Sequence, residues 1–290
     1  MKWEPGETSE NIEDRRAETG EGGGRRIGGI HVGIGGTIVL LVLSVVFKQN
    51  FFALLDPGAS NGGNSAPVSQ LSPEQQAEQD RLVKFVSFVL DSVQNTWTRV
   101  LPASGAQYRP AKLVLFRDGI DSACGLAESA TGPFYCPGDE KVYLDLGFYD
   151  ELRDRFGAPG DFAQAYVLAH ELGHHVQKIL GIEARMREQQ RESPDEANAL
   201  SVRLELQADC LAGIWGHETA DQKILDPGDI EEGLQAASSV GDDRLQRMAT
   251  GHVNPDGFTH GTSAQRSRWF KRGFDSGEVK QCDTFASRAL

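Results

Sequence analysis

Five consecutive residues, His170-Glu171-Leu172-Gly173-His174, have the types and spacing for hydrolytic chemistry. On a helix, positions four apart share a face, so His170 and His174 can offer two imidazoles to one ion. Glu171 lies one step round, where its carboxylate can reach a water held by that ion. Two histidines and a carboxylate base are what hydrolysis with zinc requires. The same pentapeptide also arises by chance in unrelated chains, so its surroundings decide what it means.

The helix that must carry it is well bounded. Ala158-Pro159-Gly160 breaks the chain and Asp161 is a good N-cap. Phe162, Ala165, Tyr166, Ala169, Gly173, Val176 and Leu180 give a helical apolar stripe, and Gly181 suits the C′ position. Gly173 costs about 1 kcal/mol of helix propensity against Ala, which is expected where another backbone or the metal site comes close.

A zinc site needs a third ligand. A further His in H-E-x-x-H-x-x-G-x-x-H is one route, closed here because Gln177 and Leu180 occupy those positions. The other route is a carboxylate from a second helix. Ser193-Pro194-Asp195-Glu196 reads as a capping box opening a helix to about Gly216, on which Glu205 and Asp209 share a face. Glu205 is expected on the metal, with Asp209 behind it accepting the free N–H of His170. Asp209 as the ligand competes with this, as does a solvated acidic face. The apolar neighbours Leu204, Leu206, Ala208, Leu211 and Ala212 favour burial.

The chain has 290 residues, and its formal charge of −13 argues against nucleic acid as a partner. None of Cys124, Cys136, Cys210 and Cys282 forms C-x-x-C, so a cysteine zinc site is not expected. Four cysteines allow three disulfide connectivities. Cys124–Cys136, closing a Gly-containing loop, and Cys210–Cys282, tying the tail to the Glu205 helix, are favoured over four buried thiols.

Residues 1–26 are polar, charged and aperiodic, and read as a disordered cytoplasmic tail. Ile27 to Phe47 holds no charged residue and would span about 31 Å as a helix, matching a bilayer core. A cleaved signal peptide competes with a retained single-pass anchor. The absence of a nearby A-x-A site and the long preceding tail favour the anchor. Arg25 and Arg26 on one flank against Lys48 on the other place the N-terminus inside and the rest on the extracytoplasmic side of the inner (plasma) membrane. Residues 48–72 read as a flexible linker, and a domain is expected over 73–290. Ser72-Pro73-Glu74 starts a helix with Leu82, Phe85, Val86, Val89 and Val93 on one face. Ala111–Phe116 and Lys141–Leu146 are strand candidates. Helices follow almost throughout, including one beginning after Asp226-Pro227 and one capped by Thr262 and Gln265. A small sheet followed by helices is an α+β arrangement.

Ala123-Cys-Gly125, Gly132–Pro137, Val142–Asp145, His170–Gln177, Glu205–Cys210 with Ala212-Gly213 and Trp215, Gly241-Asp-Asp243 and Thr259–Thr262 through Trp269-Phe270 together resemble the YpfJ-like neutral zinc metallopeptidases of bacteria. The resemblance covers nearly the whole chain. It implies a zincin-like fold, with the active-site helix under a small sheet, Glu-x-x-x-Asp on a second helix, and an edge strand that pairs with the substrate backbone. Lys141–Leu146 is the candidate for that strand, with an ordinary interior strand as the competing reading. The expectation is a membrane-anchored zinc (Zn2+) metalloendopeptidase acting on a peptide or protein. His170, His174 and Glu205 would hold the ion, Glu171 would act as general base, and one of His260, Tyr143 or His175 would steady the oxyanion, with His260 preferred. A binding or scaffold protein with structural zinc, and a zinc hydrolase of non-peptide amides, are the alternatives.

Overall fold

The computed structural model describes residues 1–18, 72–128, 132–288 and 290. Its elements, in chain order, are β1 (Ile12–Asp14), α1 (Pro73–Val100), β2 (Lys112–Phe116), β3 (Gly119–Ser122), β4 (Gly125–Glu128), β5 (Phe134–Cys136) and β6 (Lys141–Asp145). The helices α2 (Phe148–Asp154), α3 (Asp161–Ile179), α4 (Ile182–Glu192), α5 (Ala197–Asp221), α6 (Asp229–Ser239), α7 (Asp242–Thr250) and α8 (Ser263–Ser276) come after them. This is the mixed, mostly helical α+β arrangement that the pattern predicts.

The main sheet has the order β1-β2-β6-β5. β1, β2 and β6 run parallel, and β5 is antiparallel to β6. β3 and β4 form a separate hairpin. Period-two alternation sorts β6 between two cores. Val142 and Leu144 face the helices, whereas Tyr143 joins Val114, Phe116 and Ile120 on the opposite side. The principal core lies between the sheet, α1 and α3. It continues through Trp215 of α5 to Phe270 of α8.

Two capping boxes stand where the sequence puts them. The Ser72 and Gln75 side chains satisfy each other's backbone N–H groups at the start of α1, and Thr262 and Gln265 do the same for α8. Two other starts differ. Gly160, not Asp161, is the N-cap of α3. Ser193 ends α4 by donating its N–H to Gln189 O, and no side-chain cap forms there. Pro194–Glu196 becomes a 3-10 turn, and α5 starts at Ala197. That helix runs past Gly216 to Asp221, and Gly216 lies against Phe274 and Phe162 in its interior.

α5 and α8 touch backbone to backbone. A Cβ on Gly213 would fall 2.1 Å from Phe270 O, and one on Gly273 only 1.8 Å from Cys210 O. Near this contact, Asp209 of α5 and Arg266 of α8 meet.

Both favoured disulfides are present, Cys124–Cys136 and Cys210–Cys282. The anchor expected over 27–47 and nearly all of the 48–72 linker lie outside the described residues. No helix among the described residues is long and apolar enough to cross a membrane.

The expected disordered tail over 1–26 needs correction for residues 1–18, which belong to the fold. Leu113 N–H donates to Asn11 O, and Arg15 N–H to Leu115 O. Trp3 packs on Phe85 with ring centroids 5.2 Å apart. Ser9 N–H donates to Ser87 Oγ, and Lys141 Nζ pairs with Glu13 at 2.7 Å. A three-residue strand rich in charge has no apolar alternation. It is held by a ladder and ion pairs to residues about a hundred positions away, which local patterning does not register.

A bilayer cannot lie between two strands of one ladder. The β1–β2 pairing predicts that residues 1–18 lie on the same side of any membrane as the strand they pair with, which bears on the expected tail-inside, domain-outside arrangement. Single cysteines introduced by Glu4→Cys and Arg288→Cys, both at exposed positions in a chain whose native cysteines are paired, should label from the same face with an impermeant thiol reagent. Labelling from opposite faces would show that β1 does not pair in the membrane-attached protein.

Candidate metal centre

α3 and α5 come close at Gly173, where a Cβ would stand 3.1 Å from Ala208 O and 3.3 Å from Ala208 Cα. The missing side chain is what lets the second helix in, as the sequence anticipates. Around that contact lie the histidines of α3 and the carboxylates of α5.

The result is one cluster. Ligand atoms of His170, His174 and Glu205 all lie within 4.8 Å of one another. Glu205 Oε2 is 3.2 Å from His170 Nε2, and Oε1 is 3.5 Å from His174 Nε2. Each imidazole is oriented from behind. His170 Nδ1 donates to Asp209 Oδ1 at 2.8 Å, and His174 Nδ1 to Gln177 Oε1 at 2.8 Å. Both Nε2 atoms thus turn toward the Glu205 carboxylate, as a shared cation requires. All four cysteines are in disulfides, so no thiolate closes the site. This donor set, two neutral nitrogens and one carboxylate, fits zinc with room for a further ligand.

Glu171 is held separately. Its Oε2 accepts the backbone N–H of Tyr135 at 2.8 Å, from the edge strand β5. Burial raises its pKa above the ordinary value for Glu, assisted by the nearby Glu205 charge and opposed by His170, His174 and that N–H. Burial opposes charge on His170, but Asp209 and Glu205 outweigh it and push its pKa up to about 10. Burial likewise disfavours a charged Glu205, yet His174, His260 and His170 hold it well below the usual carboxylate range. These opposed directions follow from one carboxylate facing both rings. A bound metal's charge takes the place of those protons.

The oxyanion candidates separate. Tyr143 points to the hairpin side of the sheet, where its hydroxyl donates to Asp139 at 2.7 Å, away from the cluster. His175 is fully buried, with Nε2–H donating to Arg109 O and Nδ1 accepting from Tyr135 OH, so both nitrogens are committed to structure. His260 is half-exposed. Its loop is clamped by Asp242, which accepts the backbone N–H groups of Thr259, His260 and Gly261. Desolvation opposes charge on His260, but Glu205 and Asp242 raise its pKa, which puts the ring within electrostatic reach of the cluster.

Lys141–Leu146 is not an edge. β6 lies between β2 and β5, and the edge beside the site is β5. Three supporting residues escape the sequence reading. Gln177 carries a legible signal, since it lies one turn after His174. Tyr166 reads only as part of an apolar stripe. Arg266 reaches Asp209 from 57 residues away, and no local signal marks it.

The family model described as "Putative neutral zinc metallopeptidase" matches residues 1–285. The chain belongs to this family. It is similar to the uncharacterized protein YpfJ of Escherichia coli K12, 47% identical over 296 residues, covering 98% of this chain and 99% of that protein. Uncharacterized proteins of Mycobacterium bovis and Mycobacterium tuberculosis are 41% identical over 211 residues, covering 69% of this chain and 69% of each relative. No solved structure matches.

Gly173→Val adds bulk where the two helices touch. It should cost about 1–3 kcal/mol of stability and weaken zinc binding by pushing Glu205 from the rings. Denaturant unfolding and metal content check this; unchanged zinc content would show that the contact does not set the site.

Proposed function

We propose that this protein is a zinc-dependent metallopeptidase that cleaves within a peptide chain. One observation carries the reading. Two imidazoles and the Glu205 carboxylate converge on one point, while a fourth group, Glu171, is held beside them by a different element. His170, His174 and Glu205 would hold the ion, which when bound acidifies water and polarises a carbonyl.

Glu171 then takes the proton from the attacking water and passes it to the leaving amine. Burial holds its pKa above the ordinary carboxylate value, the direction that a group which must donate as well as accept requires. The Tyr135 N–H fixes one of its oxygens and leaves the other to work. His260, raised in pKa and held by the Asp242 clamp, donates to the charge that develops on the carbonyl oxygen. Tyr135 turns its N–H away from β6 and toward the site, so β5 is an edge along which an extended substrate backbone can lie beside Glu171. This supports a peptide over a compact amide substrate.

Two disulfides support an oxidising, extracytoplasmic setting. The uncharged Ile27–Phe47 run supports attachment to the membrane, within the one-sided limit set by the β1–β2 ladder.

Glu171→Gln should lower turnover of a peptide substrate by about a thousandfold or more while bound zinc stays stoichiometric. Hydrolysis retained at the wild-type rate would remove Glu171 from this role. His260→Ala should lower kcat by about 10²–10³ with little change in KM; a selective rise in KM would instead make it a substrate-binding residue.

A further inference from the structure

We propose that Arg266 is a positioning residue of the metal centre, its guanidinium locking Asp209 in the plane from which Asp209 orients His170. The proposal rests on the zinc-site reading above.

Asp209 is fully buried, and both of its oxygens are taken. Oδ1 accepts from Tyr166 OH at 2.5 Å, His170 Nδ1 at 2.8 Å and Arg266 Nη2 at 2.9 Å. Oδ2 accepts from Arg266 Nε at 2.8 Å. The torsion that turns a carboxylate about its own axis is soft. Held at Oδ1 alone, Asp209 could rotate and carry the imidazole of His170 with it. A guanidinium is a rigid planar fork, and by taking both oxygens it stops that rotation. The fork is itself fixed. Nη2 also donates to Tyr166 OH at 3.2 Å, and Nη1 donates to Val240 O at 3.2 Å.

The backbone makes this possible. α8 brings Arg266 to Asp209 only because Gly213 and Gly273 let α8 lie directly on α5. Charge points the same way. Glu171, Glu205 and Asp209 offset by Arg266 leave a formal charge of minus two, which a divalent cation cancels. With an apolar residue at 266, the cluster would carry one negative charge too many for that ion. A lysine would keep the charge but not the fork, since an ammonium is a point donor.

The test is zinc affinity, measured with Zn2+ alone by chelator competition on the full chain, beside melting of the chelator-treated protein. Arg266→Lys should melt close to wild type yet bind zinc about tenfold to a hundredfold more weakly, the range for loss of a partner behind a ligand. The Co2+-loaded variant should show a changed visible spectrum. Arg266→Met combined with Asp209→Asn removes both charges, so it keeps the experiment decisive if lysine is not tolerated. It should bind zinc no more weakly than Asp209→Asn alone, because Arg266 positions His170 only through Asp209.

Zinc affinity of Arg266→Lys within about twofold of wild type, with melting lowered, would make Arg266 a stability element and overturn the proposal. Unfolding of both Arg266 variants would do the same. Wild type that binds no zinc would bring down the underlying reading as well. Wild type that binds zinc beside an unaffected Arg266→Lys would bring down this inference alone.

Discussion

One buried carboxylate ties the site together. Asp209 belongs to α5, yet its oxygens bind His170 and Tyr166 of α3 and Arg266 of α8. Three helices that are far apart in the chain meet at these two atoms. Such a pair adds little net stability, because desolvating both charges costs about what their attraction returns. Breaking it is a different matter, since a lone buried charge costs about 3–5 kcal/mol. The arrangement therefore makes wrong relative placements of the three helices expensive, and that is what a metal centre needs.

Space decides whether those groups can meet. α5 is pressed on one side against α3 at Gly173 and on the other against α8 at Gly213 and Gly273. Each contact brings backbones together where any side chain would hold them apart. The glycines lower helix propensity by about 1 kcal/mol each. In return the carboxylates of α5 face inward from both sides, with Glu205 toward the imidazoles and Asp209 between an imidazole and a guanidinium.

The sequence was legible where local chemistry and periodicity agree. The H-E-x-x-H turn, the two carboxylates four apart, the capping boxes at Ser72 and Thr262, and α1 with its apolar face all arise from residues close in the chain. It was illegible where a feature depends on distant partners. β1 is charged and short, so only the ladder to β2 makes it a strand. β5 has three residues, and its function in the site rests on a backbone N–H, which side-chain pattern does not encode. Arg266 looks like one more surface cation on α8 until α5 is laid beside it. Ser193 had two possible duties, and the end of α4 claimed it first.

Both disulfides bear on the same geometry. Cys136 follows Tyr135, whose N–H holds Glu171, and Cys210 follows Asp209. Each crosslink thus ends one residue from a group that sets the site. Chain-entropy arithmetic assigns about 3 kcal/mol to a loop of the shorter kind and above about 4 kcal/mol to one of the longer kind. A metal site built from separate elements normally draws its ordering cost from the metal's own binding energy. Here the crosslinks constrain two of those elements beforehand. Less of the binding energy then goes to assembling the site, and more of it appears as affinity. Reduction should therefore remove that constraint from β5 and α5, which carry the N–H that holds the general base and the support behind His170.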